Sequence, residues 1–152
     1  CRPPALAGRR WRPLMPAEVS RREARRQAVI LLYQRDVTGL PVPELVENAL
    51  RAGEHADDPF TRSLVDGVDA DRAMIDDRIT AAATGWTVDR MAPLERNILR
   101  VAVWEISTGN VPVPVAIDEA VEMAKKWCAA EAPSFVNGVL GRVAREPTGE
   151  AA

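Results

Sequence analysis

Four arginines, Arg21, Arg22, Arg25 and Arg26, crowd into one short stretch of the chain. A guanidinium is planar, permanently charged and carries paired donors, so such a cluster offers the binding of phosphates. The stretch reads as the first two turns of a helix, where positive charge opposes the macrodipole and costs some stability. An anionic partner would offset that cost; the alternative is neutralisation by Glu23 and other nearby acids. A second set, Arg96, Arg100 and Trp104, recurs at i, i+4 and i+8 along a later helix. Arg100 over Trp104 would form a cation–π pair at the rim of a core. The other reading is an arginine and an aromatic edge offered to single-stranded RNA. A third set, Lys125, Lys126, Phe135 and Asn137, joins the end of one helix to the start of the next. Taken alone, it is a solvated lysine pair, a core phenylalanine and an asparagine at a helix terminus, with Gly138 allowing close packing.

Nothing in the chain suits catalysis. No nucleophile is paired with a base, and there is no glycine-rich phosphate loop. Glu95 and Glu105 lie on different faces of their helix and make a poor acid–base pair. His55 is the sole histidine and sits in a polar stretch with no cysteine nearby, so neither a metal nor another cofactor is expected. The two cysteines, Cys1 and Cys128, imply no disulfide framework and fit a reducing cytoplasm. Cys128 falls on an apolar helical face, where it is expected to be a small buried hydrophobe. No apolar run approaches membrane-spanning length, and residues 1–19 lack the apolar centre of a signal peptide.

The elements that must position these groups are helical. The chain has 152 residues, of which 47% are hydrophobic, enough for one domain with one core. Residues 1–26 hold eight arginines against two glutamates, a net +6; since the whole chain carries −2, residues 27–152 carry −8. A basic arm on an acidic body is the pattern of a segment that seeks phosphates, or simply of a solvated tail. Ser20 with Glu23 reads as a capping box ahead of an apolar stripe of Ala24, Ala28, Leu31 and Leu32. Gly39 and Pro41 end that helix. Pro43 opens a second with Leu45, Val46, Ala49 and Leu50 inward. Asp58 and Pro59 open a third by cap and first-turn proline, with Phe60, Leu64 and Val68 inward. Ile75, Ile79, Ala82 and Trp86 continue at helical spacing, as a fourth helix or as an extension of the third. Pro93 opens the most apolar helix, closed by Gly109 and Asn110 and expected at the centre of the core. Pro112 and Pro114 precede an amphipathic helix whose apolar stripe is Ile117, Ala120, Val121, Ala124 and Cys128. A last helix runs from Phe135 to about Arg145. The spacing shows no strand pattern, repeat or dividing linker, so the fold class is all-α, a single-domain bundle of about seven helices.

Three blocks, in order, carry a family resemblance. They are Arg21 to Tyr33, Leu94 to Glu105, and Val115 to Lys125 leading to the sequence Phe135, Val136, Asn137, Gly138. Over residues 20–145 the chain resembles the NusB transcription antitermination factors. The resemblance implies a non-enzymatic factor that binds boxA-type single-stranded RNA together with NusE, the small-subunit ribosomal protein. It also implies entry into an RNA polymerase antitermination complex on ribosomal RNA operons. It points to Arg21, Arg22, Arg25, Arg26, Arg100, Lys125, Glu131, Phe135 and Asn137 for RNA, with Phe135 beside bases. Glu131 stands where the family often has an aspartate, and Glu23 interrupts the basic run. For NusE it points to Tyr33, Val37, Glu95, Val113 and Glu119; Val113 stands where some members have an aromatic. Some members self-associate, which leaves a homodimer open. The alternatives are a NusB-like RNA-binding domain of a ribosomal RNA cytosine methyltransferase, ranked second because no cofactor-binding domain accompanies it, and a structural dimeric module. Residues 1–19 are expected to be a disordered basic arm, 1–14 of it from an over-extended start site or an artificial extension, and residues 146–152 a frayed tail.

Overall fold

The computed structural model describes residues 19–146. The expectations for the arm up to residue 18 and for the tail from residue 147 lie outside the described residues. Within them are seven α-helices: α1 (Arg21–Thr38), α2 (Val42–Arg51), α3 (Pro59–Ala70), α4 (Arg72–Ala82), α5 (Pro93–Thr108), α6 (Val113–Trp127) and α7 (Ala132–Arg145). A short 3-10 turn, Val88–Arg90, lies between α4 and α5.

Local chemistry sets most of the boundaries. The Ser20 hydroxyl accepts from the Glu23 N–H at 3.0 Å, but the Glu23 carboxylate pairs with Arg26, so only half of a capping box forms. Asp58 accepts from the N–H groups of Phe60 and Thr61, and Pro59 follows in the first turn. Asp71 alone separates α3 from α4, which are two helices rather than one. α4 stops at Ala82, so Trp86 does not continue its stripe and is 48% exposed. Leu50 likewise points outward. Pro114 lies inside the first turn of α6 rather than ahead of it, and α7 begins at Ala132, before Phe135. α5 ends at Gly109, whose φ of 71° is a left-handed conformation that glycine adopts without steric cost.

α5 is the centre, packed against α1, α3, α4, α6 and α7. Its Ile98, Leu99, Val101, Ala102 and Val103 are buried, and they meet Leu31 of α1, Leu64 of α3, Ile79 of α4 and Leu140 of α7 in one core. At Gly67 the approach of α3 to α5 is so close that an added Cβ would sit 2.3 Å from the Trp104 indole. Two ion-pair clusters cross this core. Arg25 of α1 meets Glu105 of α5 at 3.0 Å, both buried. Asp36 of α1 accepts from Arg96 at 2.7 Å, Asn97 at 2.9 Å and Arg100 at 3.2 Å, and Arg100 reaches on to Asp76 of α4 at 2.8 Å. These partners turn the Arg25 and Arg100 guanidiniums inward. The expectation that they face RNA is corrected, because each sits 4% exposed against a carboxylate. Arg100 therefore lies on Asp36 and Asp76, and the pairing of its guanidinium with Trp104 gives way to carboxylates.

Candidate nucleic-acid interface

The site is built along α1 and α6. The 100° advance per residue turns Ala24, Arg25 and Ala28 into the core and leaves Arg21 and Arg22 exposed, with Arg26 half-buried. Arg21 stacks over Phe60 at 4.1 Å. Arg22 donates twice to Glu119 of α6, at 3.2 and 3.1 Å, and this contact raises the guanidinium's pKa. Arg26 lies 5.6 Å over the Trp127 ring at the end of α6. Lys125 and Lys126 are exposed on the same helix, Lys125 at 3.5 Å from Glu122. Arg22, Arg26, Lys126 and the Trp127 ring thus share a face, while Arg21 turns to Phe60 of α3.

Beyond Trp127 opens a groove of about 770 Å³ between the start of α5, the segment before it and the α6–α7 turn. Trp86, Arg90, Glu95, Trp127, Glu131 and Phe135 stand on its walls. Trp86 meets Phe135 edge to face, with centroids 6.5 Å apart and planes at 71°. Arg90 lies 5.6 Å over Trp86. Burial pushes the Glu95 carboxyl up, and the charge of Glu131 adds to it. Cys128 is half-buried in the same groove rather than fully buried, and its thiol is pushed up by burial and then by Glu95. The rings and the ring-stacked arginine on the walls of this groove can take an unpaired base.

Among the RNA candidates, Arg22 and Arg26 belong to the charged face, Arg21 and Lys125 are exposed on the same two helices, and Glu131 and Phe135 line the groove. Trp127 borders both. Asn137 is exposed on α7 without lining the groove. Among the partner candidates, Tyr33 is half-buried and Val37 is 56% exposed near the end of α1, while Val113 is half-buried at the start of α6. The other two share surfaces with the RNA candidates: Glu119 holds Arg22, and Glu95 faces into the groove. Sequence reasoning missed Trp86, Arg90 and Trp127. The available signal was Gly85, a helix breaker directly before Trp86, which puts that ring past the end of the helix that carries Ile75, Ile79 and Ala82. Among the described residues no group of three or more metal-binding side chains forms, and no helix is long and apolar enough to cross a membrane.

The fold and site define a class: an all-α bundle with an arginine-rich face continued by an aromatic groove. The NusB family model matches residues 22–145, and the chain belongs to the NusB family. It is 45% identical over 125 residues to the transcription antitermination protein NusB of Thermobifida fusca (strain YX), covering 82% of this chain and 88% of that protein. Its fold is similar to that of T. maritima NusB, with a TM-score of 0.78 and 28% identity over 88% of this chain and 96% of that one. It is also similar to a chain in a crystal structure of the antitermination factors NusB and NusE in complex with dsRNA, with a TM-score of 0.72 and 29% identity over 82% and 96% of the two chains.

Proposed function

We propose that this chain is a non-catalytic RNA-binding factor in transcription antitermination. It takes boxA-type single-stranded RNA of ribosomal RNA transcription together with NusE, and so joins an RNA polymerase antitermination complex. The observation that carries this reading is the continuity of the charged face with the groove through Trp127. Arg21, Arg22 and Arg26 meet phosphates, with Lys125 beside them. Phe135, Trp86 and Trp127 stack on bases, and Arg90, already stacked on Trp86, adds charge there. Stacking platforms favour unpaired bases, because a duplex hides its base faces. Tyr33 and Val37 give the partner an apolar contact, and Glu95 and Glu119 attract the cationic surface expected of a ribosomal protein. The names of the relatives support the same reading.

The test is titration of a boxA-type oligoribonucleotide, its scrambled counterpart and an RNA duplex, each with and without NusE, with the protein's mass measured in the same buffer. Tighter binding of the boxA strand, strengthened by NusE, is expected. Equal affinity for the scrambled strand, even with NusE present, would sink the specific reading and leave only a basic surface.

A further inference from the structure

The groove wall that carries Trp86 and Arg90 lies in residues 83–92, outside every α-helix. Ala83, Val88 and Met91 are buried and pin the inner side of this segment; Trp86, Thr87, Asp89 and Arg90 are exposed. Near its start, Arg142 of α7 donates to Thr84. In its second half one side chain bonds three backbone carbonyls. Arg96, in the first turns of α5, directs Nη1 at the carbonyls of Val88 at 3.4 Å, Asp89 at 3.4 Å and Met91 at 3.2 Å. Its Nε and Nη2 each lie 2.7 Å from the Asp36 carboxylate on α1. So short a turn has no onward helix whose N–H groups could donate to its carbonyls, and a guanidinium supplies charge-assisted donors to them. One planar group therefore ties three carbonyls of an irregular segment to a carboxylate on a rigid helix.

We propose that Arg96 is a positioning residue for RNA, clasping residues 86–91 to α1 and α5 so that Trp86 and Arg90 stand opposite Phe135 before a strand arrives. This rests on the RNA reading of the groove and adds to it a residue that touches no RNA. The physical reason is preorganisation: a wall already ordered spares the strand the entropic cost of ordering it. Lysine cannot take this place, because a single ammonium does not span a carboxylate and three carbonyls in fixed directions.

The experiment compares wild type, Arg96→Lys, Trp86→Ala and the double variant. The amides of Arg90 and Met91 bond to the carbonyls of Thr87 at 3.0 Å and Val88 at 3.1 Å, so their hydrogen exchange reports on the turn. In Arg96→Lys their exchange should quicken about tenfold, while the amides of Leu99 and Val101 in α5 stay protected. Affinity for a boxA-type oligoribonucleotide should fall roughly five- to tenfold, less than the loss of a strong base stack. The double variant should bind no more weakly than Trp86→Ala alone, since both remove the same platform. Should Arg96→Lys fail to fold, Asp36→Asn keeps the guanidinium while weakening its anchor, and the same two changes should appear in smaller measure. Additive losses in the double variant, unquickened Arg90 and Met91 exchange, or unchanged RNA affinity in a protein whose wild type binds would overturn the inference alone. A wild type that binds no RNA overturns the RNA reading instead, whatever the turn does.

Discussion

Arg22 and Arg25 differ by less than one helical turn and have opposite surroundings. Arg25 sits on Glu105 with both groups out of water, whereas the Arg22 side chain is 66% exposed beside Glu119. Removing one partner of a buried pair strands the other charge, so Arg25→Ala should cost about 3–5 kcal/mol in equilibrium unfolding. Arg22→Ala should cost less than about 1 kcal/mol, as an exposed pair does, yet lower the salt slope of single-stranded RNA binding by roughly 0.7 if it meets a phosphate. Equal stability losses at the two positions would refute the distinction. Glu95 poses the opposite case. Its carboxyl is raised by burial and by Glu131, so the folded state resists its ionisation. The resulting penalty is absent at low pH, sets in as pH rises through the ordinary glutamate range, and is complete above the raised value. Glu95→Gln should therefore raise the melting temperature slightly at neutral pH while weakening NusE binding. A lower melting temperature would show that the carboxylate is stabilising, and unchanged NusE affinity would remove it from the partner surface.

Among the helices, the contacts of α5 set what the bundle tolerates. At the crossing with α3, Gly67→Ala would press a methyl into the Trp104 ring, a rigid group that cannot swing aside as a flexible chain end would. Overpacking of this kind should cost about 1–3 kcal/mol, read from the urea midpoint. No loss would mean that the two helices separate freely there. At the crossing with α1, Asp36 is held down to about 2, first by its hydrogen bonds from Arg96, with Asn97 and Arg100 adding to the effect against the cost of burial. An unfolded aspartate titrates near 3.9, so this link is fully present above that value and is lost as pH falls toward about 2. Acid titration of wild type and Asp36→Asn should show a stability loss in that window that the variant lacks. Parallel acid curves would assign the loss to other carboxylates.

The whole molecule brings its two proposed surfaces into contact. Glu119, expected to face NusE, is the residue that occupies Arg22, expected to face RNA. Glu95 and Phe135, likewise assigned to different partners, share one groove. RNA and NusE would then bind as neighbours rather than at opposite ends. Glu119→Ala should free Arg22 and strengthen RNA binding in the absence of NusE, while lowering affinity for NusE itself. Paired titrations would show it, and weaker RNA binding without NusE would contradict the release of Arg22.

The helices were legible in the residues because their causes are local. Ser20, Asp58 with Pro59, and Gly109 act within a turn of themselves, and the stripe of Ala24, Ala28, Leu31 and Leu32 is a matter of period alone. The three blocks from Arg21 to Gly138 were enough to suggest the family. What the residues in order did not reveal is which arginines remain free, because their partners lie far along the chain. Arg25 is neutralised by a carboxylate 80 positions away, and Arg100 by one 64 positions before it. Nor did the order place Trp86, since its edge-to-face contact with Phe135 and the bonds of Arg96 to its turn are made only in the folded chain. Periodicity assigns a side chain to a face of its own helix. Only the docking of helices decides whether that face meets a carboxylate, a ring or water.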